Sequence, residues 1–242
     1  MRLDAAESEL STLRGSIARE AQGARAFDVA AQRTARALYD AFAPATVLSR
    51  IYVTVPFAAL PPENRGFAQA LADERGAGAK LAPTTRVLSL AGTFGRLEAW
   101  CDRKRSRGHV GIPLIDAAFV AAIPMVARLL EELGEENLGQ AKGGEGYARS
   151  LIGGFNGVFH VPDAATSRDS LGRLVIPAQD FVSEHGVKTV FGMGGSYVDG
   201  TTVAAIVFTT EDISRKEAEQ LGTLLSGFKA STLELVRARA FF

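Results

Sequence analysis

"VKTVFGMGGSYVDGTTVAAIVFTT", residues 187–210, decides the fold. Two β-rich runs, 187–195 and 201–210, flank the pair Asp199-Gly200. A tight turn between antiparallel strands needs positive φ, which Gly adopts without penalty. The stretch therefore predicts a hairpin and, with it, an antiparallel sheet. Next comes "DISRKEAEQLGTLLSGFKASTLELVRARAFF", which predicts a closing helix. Leu221, Leu224, Leu225, Phe228, Leu235 and Val236 form its apolar stripe. Asp212 or Ser214 can cap its start, and Glu217 stands where a capping box with Ser214 requires it.

Upstream, "IPAQDFVSEHG" reads as a short helix stopped by Gly186, and "GVFHVPDA" as a strand closed by Pro162 and Asp163. Successive strand residues face opposite sides, so Phe159 and His160 are predicted on different faces. "DAAFVAAIPMVARLLEELG" predicts a helix capped by Asp116, with Phe119, Ile123, Val126, Leu129, Leu130 and Leu133 as its apolar face. Pro124 should kink it or end a first piece. The Gly-rich "GEENLGQAKGGEGYARS" reads as a loop. "LIGGFNG" and "FGMGGSYVDG" precede no helix, unlike a phosphate-binding loop, and read as strand-end flexibility and a turn.

The first half opens on a predicted helix from Asp4 to Phe42 with a weak point near Gly23 and a stop at Pro44. Leu10, Leu13 and Ile17 form a narrow stripe, which Phe27, Ala30, Ala31, Leu38 and Phe42 continue. Such a stripe can pack on its own domain or pair with the same helix of a second copy. Pairing is the favoured expectation, hence a homodimer. "ATVLSRIYVTVPF" and "TTRVLSLAGT" predict two strands, with loop and a short helix in "PPENRGFAQALADERGAG" between them. "HVGIPLI" resumes extended structure after a charged segment. Helices at both ends of a hairpin-rich middle imply an α+β fold with a central antiparallel sheet. The expected division is one domain: a helical segment 1–43, a sheet core with a helical insert 44–211, and a C-terminal helix 212–242.

Composition narrows the class. The 242 residues allow a sizeable core. Charges balance at 27 basic against 27 acidic, unlike a chain whose main business is nucleic acid. One Cys excludes an internal disulfide and fits a reducing compartment. The charged start is not expected to be a secretory signal, and no run approaches the roughly 20 apolar residues of a membrane helix. A cytoplasmic location is expected.

The order "GVFHVPDAATSRD", "FVSEHGVKTVFGM" and "DGTTVAAIVFTTEDISRKEAEQLGTLLSG" resembles the C-terminal half of a GAF domain over about residues 154–235. "LYDAFAPATVLSRIYVTVP" is similar to that family's first helix and strand. The middle departs from the usual pattern and looks like a variant GAF-type sensor found ahead of bacterial histidine kinases and cyclases. The resemblance implies a GAF/PAS-like cytoplasmic sensory module that binds a small ligand and signals through its end helices. Its output would pass to a histidine kinase or other signalling partner.

The site is expected where the charged segment "WCDRKRSRGHVGIPL", residues 100–114, meets the sheet. Arg103 and Arg105 offer forked donors for a carboxylate or phosphate. Trp100, His109, Phe159, His160, Phe191 and Met193 are expected to complete the walls. The alternative for the charges is a solvated loop in which Asp102 pairs with a nearby Arg. Cys101, Asp102 and His109 are the residue types of a metal site but lack its tight spacing. His109, His160 and His185 are candidate haem ligands, so an iron- or haem-based gas or redox sensor is one alternative function. No Cys-His pair exists to attach a bilin. A partner-binding module without a ligand is the other alternative. No catalytic motif stands out, so no enzyme is expected, and the cofactor stays open.

Overall fold

A computed structural model describes residues 7–133 and 157–242. The expected loop 134–150, the "LIGGFNG" stretch up to residue 156 and the first residues of the N-terminal helix lie outside the described residues. The chain runs α1 (Glu7–Ala21), α2 (Phe27–Ala41), β1 (Thr46–Pro56), α3 (Pro62–Glu74), β2 (Arg86–Gly95), β3 (Gly111–Pro113), α4 (Ala117–Ala121) and α5 (Pro124–Glu132). It continues through β4 (Gly157–Val161), α6 (Gln179–His185), β5 (Thr189–Ser196), β6 (Thr202–Thr209), α7 (Arg215–Gly222) and α8 (Leu225–Arg237). Among the described residues no helix is long and apolar enough to cross a membrane.

The strands form one six-stranded sheet in the order β3-β2-β1-β6-β5-β4, with every pair antiparallel. The hairpin predicted at Asp199-Gly200 joins β5 to β6, and Gly200 takes φ 77° in its turn. Because β1 and β6 are the two central strands, the helices before β1 and after β6 meet over the same face. There α1, α2, α7 and α8 cover Ile51, Val53 and Val55 of β1 and Val203, Ala205 and Val207 of β6. The opposite face carries α4, α5 and α6, with Leu88, Leu90, Phe159, Ile206 and Phe208 among the strand residues beneath them. Both faces are covered, so β6 is buried along its whole length. This is why "TTVAAIVFTT" reads as a near-continuous apolar run rather than an alternation.

The helices refine the sequence reading. Gly23, at φ 72°, ends α1, and the chain restarts as α2 rather than continuing as one long helix. The N–H groups of Phe27 and Asp28, which a helix start leaves unpaired, donate to the carbonyls of Ala240 and Phe241. Leu10, Leu13 and Ile17 are buried in the chain's own core, where α1 packs on α2 and α8. The stripe expected to pair with a second copy therefore packs on its own domain. The closing helix is two helices: after Gly222 the hydroxyls of Thr223 and Ser226 bond the carbonyls of Gln220 and Thr223, and the axis breaks. The Ser214–Glu217 capping box forms as expected. Asp116 caps α4 through the Phe119 N–H, and Pro124 starts α5 after a break.

The glycines of "FGMGG" lie inside β5, not at a flexible strand end. A Cβ on Gly194 would stand 2.6 Å from the Val203 carbonyl oxygen and 2.7 Å from a Leu133 methyl, so the strand is bare there to seat the chain after α5. The same logic is sharper at Gly92, where a Cβ would lie 2.3 Å from the backbone of Ala31 in α2. Backbone cannot swing aside as a side-chain tip can. Gly92→Ala is expected to destabilise the fold by about 1–3 kcal/mol or more, read as a lower urea midpoint with unchanged slope. An unchanged midpoint would mean that α2 does not sit this close to β2.

Candidate functional site

Arg50 and Tyr52 stand two residues apart on β1 and so share a face, the one opposite the terminal helices. Across the sheet Ile206 pairs with Arg50, and the small Ala204 pairs with Tyr52. This leaves a concavity beside the tyrosine ring. Ile123 and the α5 residues Met125, Val126 and Leu129 roof it, while Leu88, Ile112, Ile206 and Phe208 line the sheet side. The space between these side chains, with the open solvent at its mouth included, is about 490 Å³. Its polar groups are few: Arg50, Tyr52 and His109. A mostly apolar hollow with a few convergent polar groups is the usual form of a small-molecule site.

Arg50 is 8% exposed. Its guanidinium donates from Nη1 to the Tyr52 hydroxyl (3.2 Å) and the Gly108 carbonyl (3.0 Å). From Nη2 it donates to the Ser106 hydroxyl (2.8 Å) and the Arg107 carbonyl (3.1 Å). One strand residue thus ties down the turn 106–108 that closes the cavity. Gly108 and His109 both have positive φ, 73° and 51°. Gly accepts this freely and His is among the residues that tolerate it. The kink delivers His109 to the cavity mouth, where the residue is exposed to water. Displaced hydration around the ring, then the Arg50 charge, then Arg75, hold the imidazole below the usual histidine range. The ring is therefore neutral near pH 7, able to donate from one nitrogen and accept at the other.

Of the residues expected to line the site, only His109 stands in the wall of this cavity. Trp100 lies on the same sheet face but packs edge-on against Phe181 (5.6 Å) and His185 (4.9 Å). Phe159 is fully buried in the core of that face, outside the cavity walls. The register pairs His160 with Phe191 on the opposite face, where Phe191 and Met193 lie beneath the terminal helices. There His160 Nε2 sits 2.7 Å from the Ile213 carbonyl. Arg105 points outward to Glu98, with two contacts of 3.0 Å. Arg103 grips Asp28 of α2 at 3.0 and 2.7 Å, and its guanidinium lies 4.9 Å over the Phe242 ring. The expected arginine clamp is absent from the cavity because both cations have protein carboxylates. Among the described residues Asp102 pairs with no arginine; its carboxylate accepts the Lys104 N–H in a turn. No three His, Cys, Asp or Glu side chains converge among the described residues.

No family model matches the chain, and no curated protein matches it. Solved structures do. One is the chromophore-binding domain of an unusual bacteriophytochrome from R. palustris, at TM-score 0.45 and 8% identity over 96% of this chain and 63% of that one. This chain thus spans less than two thirds of that structure. Another is the phycoerythrobilin-bound GAF domain from a cyanobacterial phytochrome, at TM-score 0.43 and 14% identity over 96% of this chain and 97% of that one. The chain is similar to GAF domains in fold. No residue role passes to it from either neighbour, and the site stands on its own geometry.

Arg50 and Tyr52 are absent from the sequence-based expectation. The available signal was an arginine in the middle of "TVLSRIYVTVP", a strand of which only Pro56 is not buried. A charge at the centre of a strand covered on both faces has no solvent side to occupy.

Proposed function

We propose that this chain is a sensory binding module whose cavity takes up a small, largely apolar molecule. The observation that carries this is the apolar hollow between the sheet and α5, with Arg50, Tyr52 and His109 converging at one side. Those three groups supply a charge and hydrogen bonds, which suits recognition. A bilin attached through a thiol would find no cysteine in these walls. The chain's one thiol, on Cys101, contacts the carbonyls of Gly95 and Leu97 instead.

The route to the terminal helices is physical. The segment 98–110 touches the cavity through His109 and the partners of Arg50, and touches α2 and the C-terminus through Arg103. An occupant that prefers one arrangement of this segment shifts how α2 is held. A second copy, if one assembles, has to dock on a surface other than the α1 stripe. Native mass spectrometry of the freshly purified chain tests the binding reading. A reproducible added mass per chain, lost when Val126→Trp fills the cavity, is the expected result. A mass increment indifferent to that substitution would place the ligand elsewhere and sink the reading.

A further inference from the structure

The cation in the cavity wall has no counter-charge among the described residues. Arg50 is 8% exposed, and its hydrogen-bond partners are a phenol, a hydroxyl and two carbonyls, all neutral. Its Nε–H is buried without any partner. Among the described residues no carboxylate forms an ion pair with it. The neighbouring Arg103, whose side chain is 10% exposed, does have its carboxylate in Asp28. A guanidinium held in an apolar setting is costly unless an anion neutralises it. Tyr52, 3% exposed, accepts from Arg50 and gives its own proton to no acceptor among the described residues. A hydroxyl polarised by a cation is a stronger donor for an anion. The neutral His109 ring stands at the same mouth and adds a further donor.

Resting on the cavity reading above, we infer that the ligand is a small apolar carboxylate. Its carboxylate would sit beside Arg50 and accept the Tyr52 O–H, and its hydrocarbon body would lie against Ile206, Val126 and Leu129. The charge explains what a purely structural role leaves over. Tying the 106–108 turn needs donors, which a neutral side chain could supply without burying a charge. An uncharged analogue of the same length fills the apolar part but leaves the cation unpaired.

Titration calorimetry with octanoate and with 1-octanol separates these ideas, using the full chain and the variants Arg50→Met and Tyr52→Phe. The unsubstituted protein is expected to bind octanoate at least about tenfold more tightly than 1-octanol, the scale of one hydrogen bond to a charged group. Arg50→Met should abolish that preference, bringing octanoate and 1-octanol to similar affinity. Tyr52→Phe keeps the ring and should weaken octanoate severalfold more than it weakens 1-octanol, so the test stands even if Arg50→Met fails to fold. Equal affinity for the two probes, or a preference for octanoate that survives both substitutions, overturns the carboxylate assignment and leaves the cavity as an apolar site. Binding of neither probe overturns the cavity reading and the assignment with it.

Discussion

Asp28→Ala should cost the fold about 3–5 kcal/mol, the range for stripping one partner from a buried ion pair. The pair joins α2 to the segment that closes the cavity, and its side chains are 10% and 16% exposed. Two short bonds, 3.0 and 2.7 Å, run from Arg103 to one carboxylate oxygen. Arg103 Nη1 is already buried with no partner, so there is no second acceptor for the cation to turn to. The Phe242 ring beneath it at 4.9 Å offsets only part of the loss, since a cation over an aromatic ring gains about 0.5–2 kcal/mol. Urea unfolding should show a large drop in midpoint. The double variant Asp28→Leu with Arg103→Met should recover much of it, because it leaves no charge behind. The neighbouring Arg105–Glu98 pair gives the contrast: its side chains are 52% and 86% exposed, and Glu98→Ala should change stability by less than about 1 kcal/mol. Similar losses for Asp28→Ala and Glu98→Ala would show that Arg103 is not held in a dry contact.

That contrast explains why the charged segment resisted reading. In "WCDRKRSRGH" the arginines are equivalent as letters. What separates them is a partner 75 residues away for Arg103 and one 7 residues away for Arg105. Local pattern sees the second and not the first. The strands, the Asp199-Gly200 hairpin, the Ser214 capping box and the break at Pro124 were legible because each rests on neighbours in sequence. The cavity was not, because its walls come from β1, β2, β6 and α5, and only the strand order brings these together. The face of each strand residue was half legible. Alternation separated Phe159 from His160, but which of the two faced the cavity side depended on where the terminal helices lay. Once β1 and β6 are known to be central, those helices claim one face, and Phe191 and Met193 go with it.

Phe228→Ala should be comparably severe, about 3–5 kcal/mol, the usual loss for emptying a buried phenylalanine site. The ring is fully buried in α8 and meets Phe27 of α2 edge-on, with centroids 5.3 Å apart. Phe27 also meets Phe241 at 6.2 Å and Tyr197, beyond the end of β5, at 6.4 Å. The cluster therefore belongs at once to both terminal helical segments and to the sheet. The Tyr197 hydroxyl, 2.7 Å from that of Thr232, fixes α8 to the same point. Collapse around the lost ring is limited because these neighbours come from rigid elements, so most of the cavity should persist. The loss should appear as one cooperative transition by both helix and sheet signals, since the helices share their core with the strands. An early transition confined to helix signal would instead make the terminal helices a separately folding layer. In that case motion at the cavity could not reach them through packing, and the polar links between the cavity-closing segment and α2, the Arg103–Asp28 pair and the Gln32 amide on the Cys101 carbonyl, would have to carry it.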